Sequence, residues 1–225
     1  IYLGGMSVSS GTATITTNDP YNPVVDVDLL GAFGTPTEGV VSGVWTIEGS
    51  PYRISGPVSI AAETDLTIEA GVEVLFDVQE PFIVEGQLYA NGSPGSEVIF
   101  DVGGAGEWYG LRFGGGAYAE LDFAVVTGVN TVNDGRPGYD EHGAIYAHDE
   151  FTEVNITNSK IIGNHADSYG GGIVVLFGAT VYVANTLIDG NSAFSSGGAI
   201  DITDSEATFD HCTIVGNNSY AAPMG

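Results

Sequence analysis

Gly143-Ala144-Ile145, Gly171-Gly172-Ile173 and Gly198-Ala199-Ile200 are three versions of one segment, recurring at a nearly constant step. A fixed step of that length, about 27 residues, marks stacked structural repeats. Each segment is followed by an Ile-x-x-Asn element, Ile161 to Asn164, Ile188 to Asn191 and Ile214 to Asn217, and these asparagines keep the same step. Between the two motifs run apolar columns at the same spacing, Val154/Val181/Ala207 and Ile156/Val183/Phe209, followed by Ser159/Thr186/Cys212. Within Val154-Asn155-Ile156, Val181-Tyr182-Val183 and Ala207-Thr208-Phe209 the alternation is that of a strand buried on one face, with no helical period.

A repeat of this length is too short for a propeller blade and carries no leucine-rich-repeat signature. It suffices for three short strands and three bends, one coil of a solenoid. The pattern extends upstream: Leu111 precedes Ile145, and Asn130 precedes Asn164, by one shared interval that exceeds the repeat by about seven residues. One coil is therefore enlarged, and the polar, turn-rich stretch from Thr131 to Glu141 is the expected insertion. Farther upstream, Leu66 to Phe76 and Phe82 to Ala90 alternate in the same way and read as the first coils. The expected fold is all-β: a right-handed parallel β-helix of about six coils over 58–225, a linker or cap over 35–57, and an N-terminal hairpin or partial immunoglobulin-like segment over 1–34.

Composition fits this fold and narrows the partners. The chain has 225 residues, 43% of them hydrophobic, and 34 glycines, which favours strands and tight turns over disorder. Cys212 is the single cysteine, so no intrachain disulfide forms, and its place in an apolar column makes it a core filler. Four basic residues against 29 acidic ones give a net charge of -25, which repels nucleic acid, anionic membranes and uronate polymers. No apolar run is long enough to provide a transmembrane segment, and both ends read as cuts in a longer protein.

The candidate functional residues follow from the coil geometry. Identical positions on successive coils stack about 4.8 Å apart, so Asn164, Asn191 and Asn217 are expected to form a structural amide ladder. Outward positions after the glycine motif read Tyr146/Val174/Asp201, then His148/Leu176/Thr203, then Asp149/Phe177/Asp204. Tyr146, Val174, Leu176 and Phe177 make an apolar strip that solvent should not meet unaided. Either the 131–141 insertion covers it as a lid, or a partner does.

Many β-helices cleave polysaccharides, so the same columns bear on chemistry. No two basic residues share a face to serve a uronate lyase. Asp149 and Asp204 share a column at about 9.6 Å, close to an inverting glycosidase spacing, but Phe177 separates them. No catalytic residue is therefore assigned, and the chain is expected not to be an enzyme. His142, His148, His165 and His211 lack metal-ligand spacing. No cofactor is expected. Calcium is the one ion the acids suit, through Asp26 and Asp28 or through Asp134, Asp140 and Glu141, with solvated acids the preferred reading.

The Gly-Gly-Ala/Gly-Ile and Ile-x-x-Asn pair, over roughly residues 142 to 218, resembles the repeat of chlamydial polymorphic outer membrane proteins. That family carries Gly-Gly-Ala-Ile and Phe-x-x-Asn; here Ile161, Ile188 and Ile214 stand for its Phe and His142 for one Gly. Residues 58 to 101 also resemble the opening coils of secreted bacterial β-helix proteins. Residues 11 to 34, with Asn18-Asp19-Pro20 at the turn, are similar to the last hairpin of immunoglobulin-like domains of the ASPM/SPD-2/Hydin type. The resemblance implies an extracellular, cell-surface adhesin or structural stalk. Its partner would be a surface protein, a glycan or another copy of itself, with a polysaccharide-degrading enzyme or glycan-binding module as the alternative.

Overall fold

The computed structural model describes residues 8–16, 24–32, 34–104, 107–132 and 142–220, the first two stretches as backbone. Val8–Thr16 and Val24–Ala32 pair antiparallel from Val8↔Ala32 to Thr16↔Val24, forming a two-stranded sheet of their own. The expected turn at Asn18-Asp19-Pro20 lies outside the described residues.

From Thr35 onward the strand ladders are parallel, and they stack in curled sheets in the manner of a β-solenoid. One sheet is a stack of seven strands: Gly43–Trp45, Asp65–Glu69, Gln87–Asn91, Tyr118–Asp122, Glu153–Thr157, Thr180–Ala184 and Glu206–Asp210. The period read from the sequence is the register of this stack. Leu66, Leu88, Ala119, Val154, Val181 and Ala207 form one inward column, and Ile68, Ala90, Leu121, Ile156, Val183 and Phe209 the next.

The larger sheet is folded at one strand, Tyr52–Ile60. Its first half pairs with Val74–Phe76 and its second half with Phe82–Val84, so a single strand belongs to two flanks. One flank continues through Leu111–Phe113, Ile145–Ala147, Ile173–Leu176 and Ile200–Thr203. The other continues through Val98–Val102, Ala124–Thr127, Lys160–Ile162, Leu187–Asp189 and Thr213–Val215. Within 35–57, Thr35–Val40 and Gly43–Trp45 join the two stacks, and Trp45 stacks on Tyr52 with ring centroids 4.4 Å apart.

The core is the space enclosed by these flanks. Phe76 stacks on Trp108 at 4.1 Å, and the indole Nε1 donates to the Thr127 carbonyl at 2.8 Å, satisfying the one polar atom of that ring. Each fully buried Leu, Ile or Phe in such a column contributes about 1.5–3 kcal/mol. The column ends at the last described coil, where Ile214 is 47% exposed while its neighbours Ile161 and Ile188 are buried.

Bends recur at fixed positions. Phe123, Asn158, Asn185 and His211 occupy one corner with φ of 47°, 52°, 50° and 51°, a left-handed region that Asn and His tolerate better than most residues. Asn185 Nδ2 donates to Asn158 Oδ1 at 2.6 Å along this corner.

The enlarged coil corrects one expected alignment. Leu111 pairs with Ile145 as the shared interval requires, but Val126 pairs with Ile161, one position farther along than that interval gives. The bend after Ala147 (His148 to Thr152) is longer by one than the bend after Phe113 (Gly114 to Ala117), which shifts everything downstream. Asn130 therefore bridges His165, and Val129 takes the place opposite Asn164. The longer bend leaves Phe151 87% exposed, with φ of 68°.

Candidate functional site

Parallel pairing sets Arg112, Tyr146, Val174 and Asp201 side by side on the outer face of one flank, with Leu176 and Thr203 farther along the last two strands. At the entry to these strands, His142, Tyr169 and Ser196 are bridged in a third column. Residues of these columns from His142 and Tyr146 to Asp201 and Thr203 line a groove of about 480 Å³.

Arg112 lies beside one end. Its guanidinium is buried, with Nη1 donating to the carbonyls of Gly143 at 2.8 Å and Leu111 at 3.2 Å and Nη2 donating to that of His142 at 2.7 Å. The planar fork suits such divergent acceptors, and the charge also lies 5.8 Å from the Tyr146 ring centroid.

Tyr146 is flanked by imidazoles, His142 at 4.3 Å and His148 at 4.8 Å between centroids. Burial first, and the Arg112 charge second, push His142 down to about 4, so the ring is neutral at pH 7. Its Nδ1 is buried and meets no hydrogen-bond partner among the described residues. Burial likewise raises the Tyr146 phenol above its ordinary range.

The floor is Val174 and Leu176. Outward direction does not leave Val174 exposed: it is fully buried. Its cover lies within its own coil, because a Cβ added to Gly170 would sit 2.1 Å from Val174 Cγ2 and the glycine adopts φ of +59°. Thus the Tyr169–Gly170 bend folds back over the strand. Leu176 is half-buried, while Phe177 is 60% and Tyr169 43% exposed on the rims. Residues 133–141, the greater part of the expected lid, lie outside the described residues. Thr131 is buried, and its Oγ1 accepts from the Asp167 N–H at 3.2 Å.

Among the described lining residues Asp201 is the single carboxylate. Ser196 Oγ donates to Oδ2 at 2.6 Å and Thr203 Oγ1 approaches Oδ1 at 3.5 Å. Asp149, Phe177 and Asp204 occupy the bend beyond, all left-handed at φ of 74°, 58° and 49°. The hydrogen bond from His148, and then the Gly115 N–H, hold the Asp149 carboxyl below the usual carboxylate range.

Elsewhere the asparagines stack. Asn164 Nδ2 donates to Asn191 Oδ1 at 2.9 Å and Asn191 Nδ2 to Asn217 Oδ1 at 3.0 Å. Each amide also donates to a carbonyl of the preceding coil, Val126, Ile161 and Ile188 respectively. No group of three or more His, Cys, Asp or Glu side chains converges among the described residues. Asp134, Asp140 and Glu141 lie outside them, as do the side chains of Asp26 and Asp28.

Sequence reasoning named Tyr146, Val174, Leu176 and Phe177 but passed over Arg112, His142, Tyr169 and Ser196 as site residues. A signal existed, since His142, Tyr169 and Ser196 recur at the repeat period, just before the glycine motif. The chain matches no protein-family model, no curated protein and no solved structure. Among the described residues no helix is long and apolar enough to cross a membrane.

Proposed function

We propose that this chain is a non-catalytic extracellular surface protein, an adhesin or structural stalk, built as a right-handed parallel β-helix of about six coils. The observation that supports it most is the chemistry of the groove. Among the described residues that line it, one carboxylate, Asp201, stands amid apolar and aromatic side chains, where an inverting or retaining glycosidase uses a pair. The nearby Asp149 is pushed the wrong way for a general acid, which needs a raised pKa to hold its proton at neutral pH. Such a surface suits contact with a partner, whether a protein, a glycan or a second copy of the chain. Incubation with a panel of neutral and acidic polysaccharides tests the reading. No new reducing ends or unsaturated products are expected, and turnover abolished by Asp201→Asn or Asp149→Asn contradicts it.

A glycan-binding module is the second reading, favoured by the exposed rings of Tyr169 and Phe177 on the groove rims. Aromatic faces beside hydrogen-bonding groups are a recurrent means of holding a small ligand.

A further inference from the structure

We propose that the groove over Val174 and Leu176 binds an organic ammonium cation, a primary or quaternary ammonium carrying a short alkyl body. The proposal rests on the surface-binding reading and deepens it by naming what the groove takes.

Charge comes first. Asp201 supplies a negative charge at the groove edge, and the groups hydrogen-bonded to it are the neutral hydroxyls of Ser196 and Thr203. The described basic side chains are engaged elsewhere: Arg53 pairs with Asp77, Lys160 with Glu97, and Arg112 lies against backbone carbonyls at the far end of the column. His142, neutral at pH 7, adds no cation. A chain at -25 also draws cations toward its surface and turns anions away.

Shape and chemistry narrow the cation. Calcium needs about six to eight oxygen ligands, and this groove gives one carboxylate with two hydroxyls already turned toward it. Apolar Leu176, half-buried beside the covered Val174, instead suits methyl and methylene groups. The partly exposed rings of the lining are Tyr169 and Phe177, and aromatic rings attract an ammonium through their quadrupole. A neutral sugar is less well served. Tyr146, the ring in the strand itself, is flanked by His142 and His148 and leaves no broad platform for a pyranose. The hydroxyl donors of Ser196 and Thr203 are also already directed to Asp201.

Titration of the full chain with choline, followed by calorimetry or NMR at low salt, tests this. Choline is expected to bind saturably in the millimolar range or tighter. Its neutral isostere, 3,3-dimethylbutan-1-ol, should bind at least about tenfold more weakly. Asp201→Asn, an isosteric change at a partly exposed position, should weaken choline about tenfold, and Phe177→Ala by about threefold or more, with melting temperatures held. No saturable choline response, equal binding of choline and the neutral isostere, or binding of neutral oligosaccharides with choline silent each overturns the proposal. Those outcomes leave the non-catalytic reading standing, because that reading falls only if polysaccharide turnover is found.

Discussion

Asn164 Nδ2 and the Asn164 backbone N–H both donate to one atom, Asn191 Oδ1, at 2.9 and 3.1 Å. Asn191 repeats the arrangement on Asn217, at 3.0 and 2.9 Å. Each amide thus meets a backbone N–H at its bend and locks two coils in register, in an interior where an unmet polar group is costly.

Replacing Asn191 by Ala should therefore destabilise the chain by about 2–4 kcal/mol, because it orphans donors in a buried site. Asn217→Ala, at the more open end of the ladder, should cost less. Denaturant unfolding of the two variants measures the difference, and equal, negligible losses would mean the ladder contributes nothing.

Gly170 carries a second expectation. With φ of +59° and an added Cβ at 2.1 Å from Val174 Cγ2, Gly170→Ala must displace the bend that covers the groove floor. A loss of about 1–3 kcal/mol is expected, together with faster amide exchange over 169–176. Unchanged stability and exchange would show that the bend does not depend on this backbone conformation.

These two cases show what was legible in the sequence and what was not. Ile145, Ile173 and Ile200 keep a near-constant spacing because parallel stacking forces equivalent residues into one column, so the register could be read directly. Alternation directs Val174 to the outer face, but its burial depends on a bend folding back, a tertiary contact that alternation does not encode. Asn130 was misaligned because the bend between His148 and Thr152 is longer than its counterpart, and the equal spacing of Leu111 to Ile145 concealed the shift. Arg112 gave no signal of its own, since no repeat partner shares its chemistry and its acceptors are carbonyls.

For Arg112 the expectation is that lysine cannot substitute. A single ammonium does not reach the carbonyls of Leu111, Gly143 and His142 together, so Arg112→Lys should cost about 2–4 kcal/mol in denaturant unfolding. In Arg112→Met, the His142 pKa should rise, because the guanidinium is one of the causes holding it down. NMR titration of the imidazole reads that shift directly.

His142 also sets a pH dependence. Its folded pKa of about 4 lies below the ordinary 6.5, so between those values the unfolded chain holds a proton that the folded chain lacks. Stability from this group is therefore complete above the unfolded value, falls as pH drops from about 6.5 to about 4, and is constant below, for a total of up to about 3 kcal/mol. His142→Phe, which keeps a ring on Tyr146, should flatten that part of the stability profile. An unchanged profile would place the titration elsewhere.

The central claim is the stacking of coils in the register read from the repeat, and paired cysteines test it most directly. In a Cys212→Ser background, Asn155→Cys with Tyr182→Cys places two outward thiols on paired positions of adjacent strands, about 4.8 Å apart at Cα, within disulfide range. Asn155→Cys with Ala184→Cys is out of register, at roughly 8 Å, beyond that range. Mild oxidation followed by peptide mapping is predicted to cross-link the first pair and leave the second reduced. A cross-link in the second pair and none in the first would contradict the account.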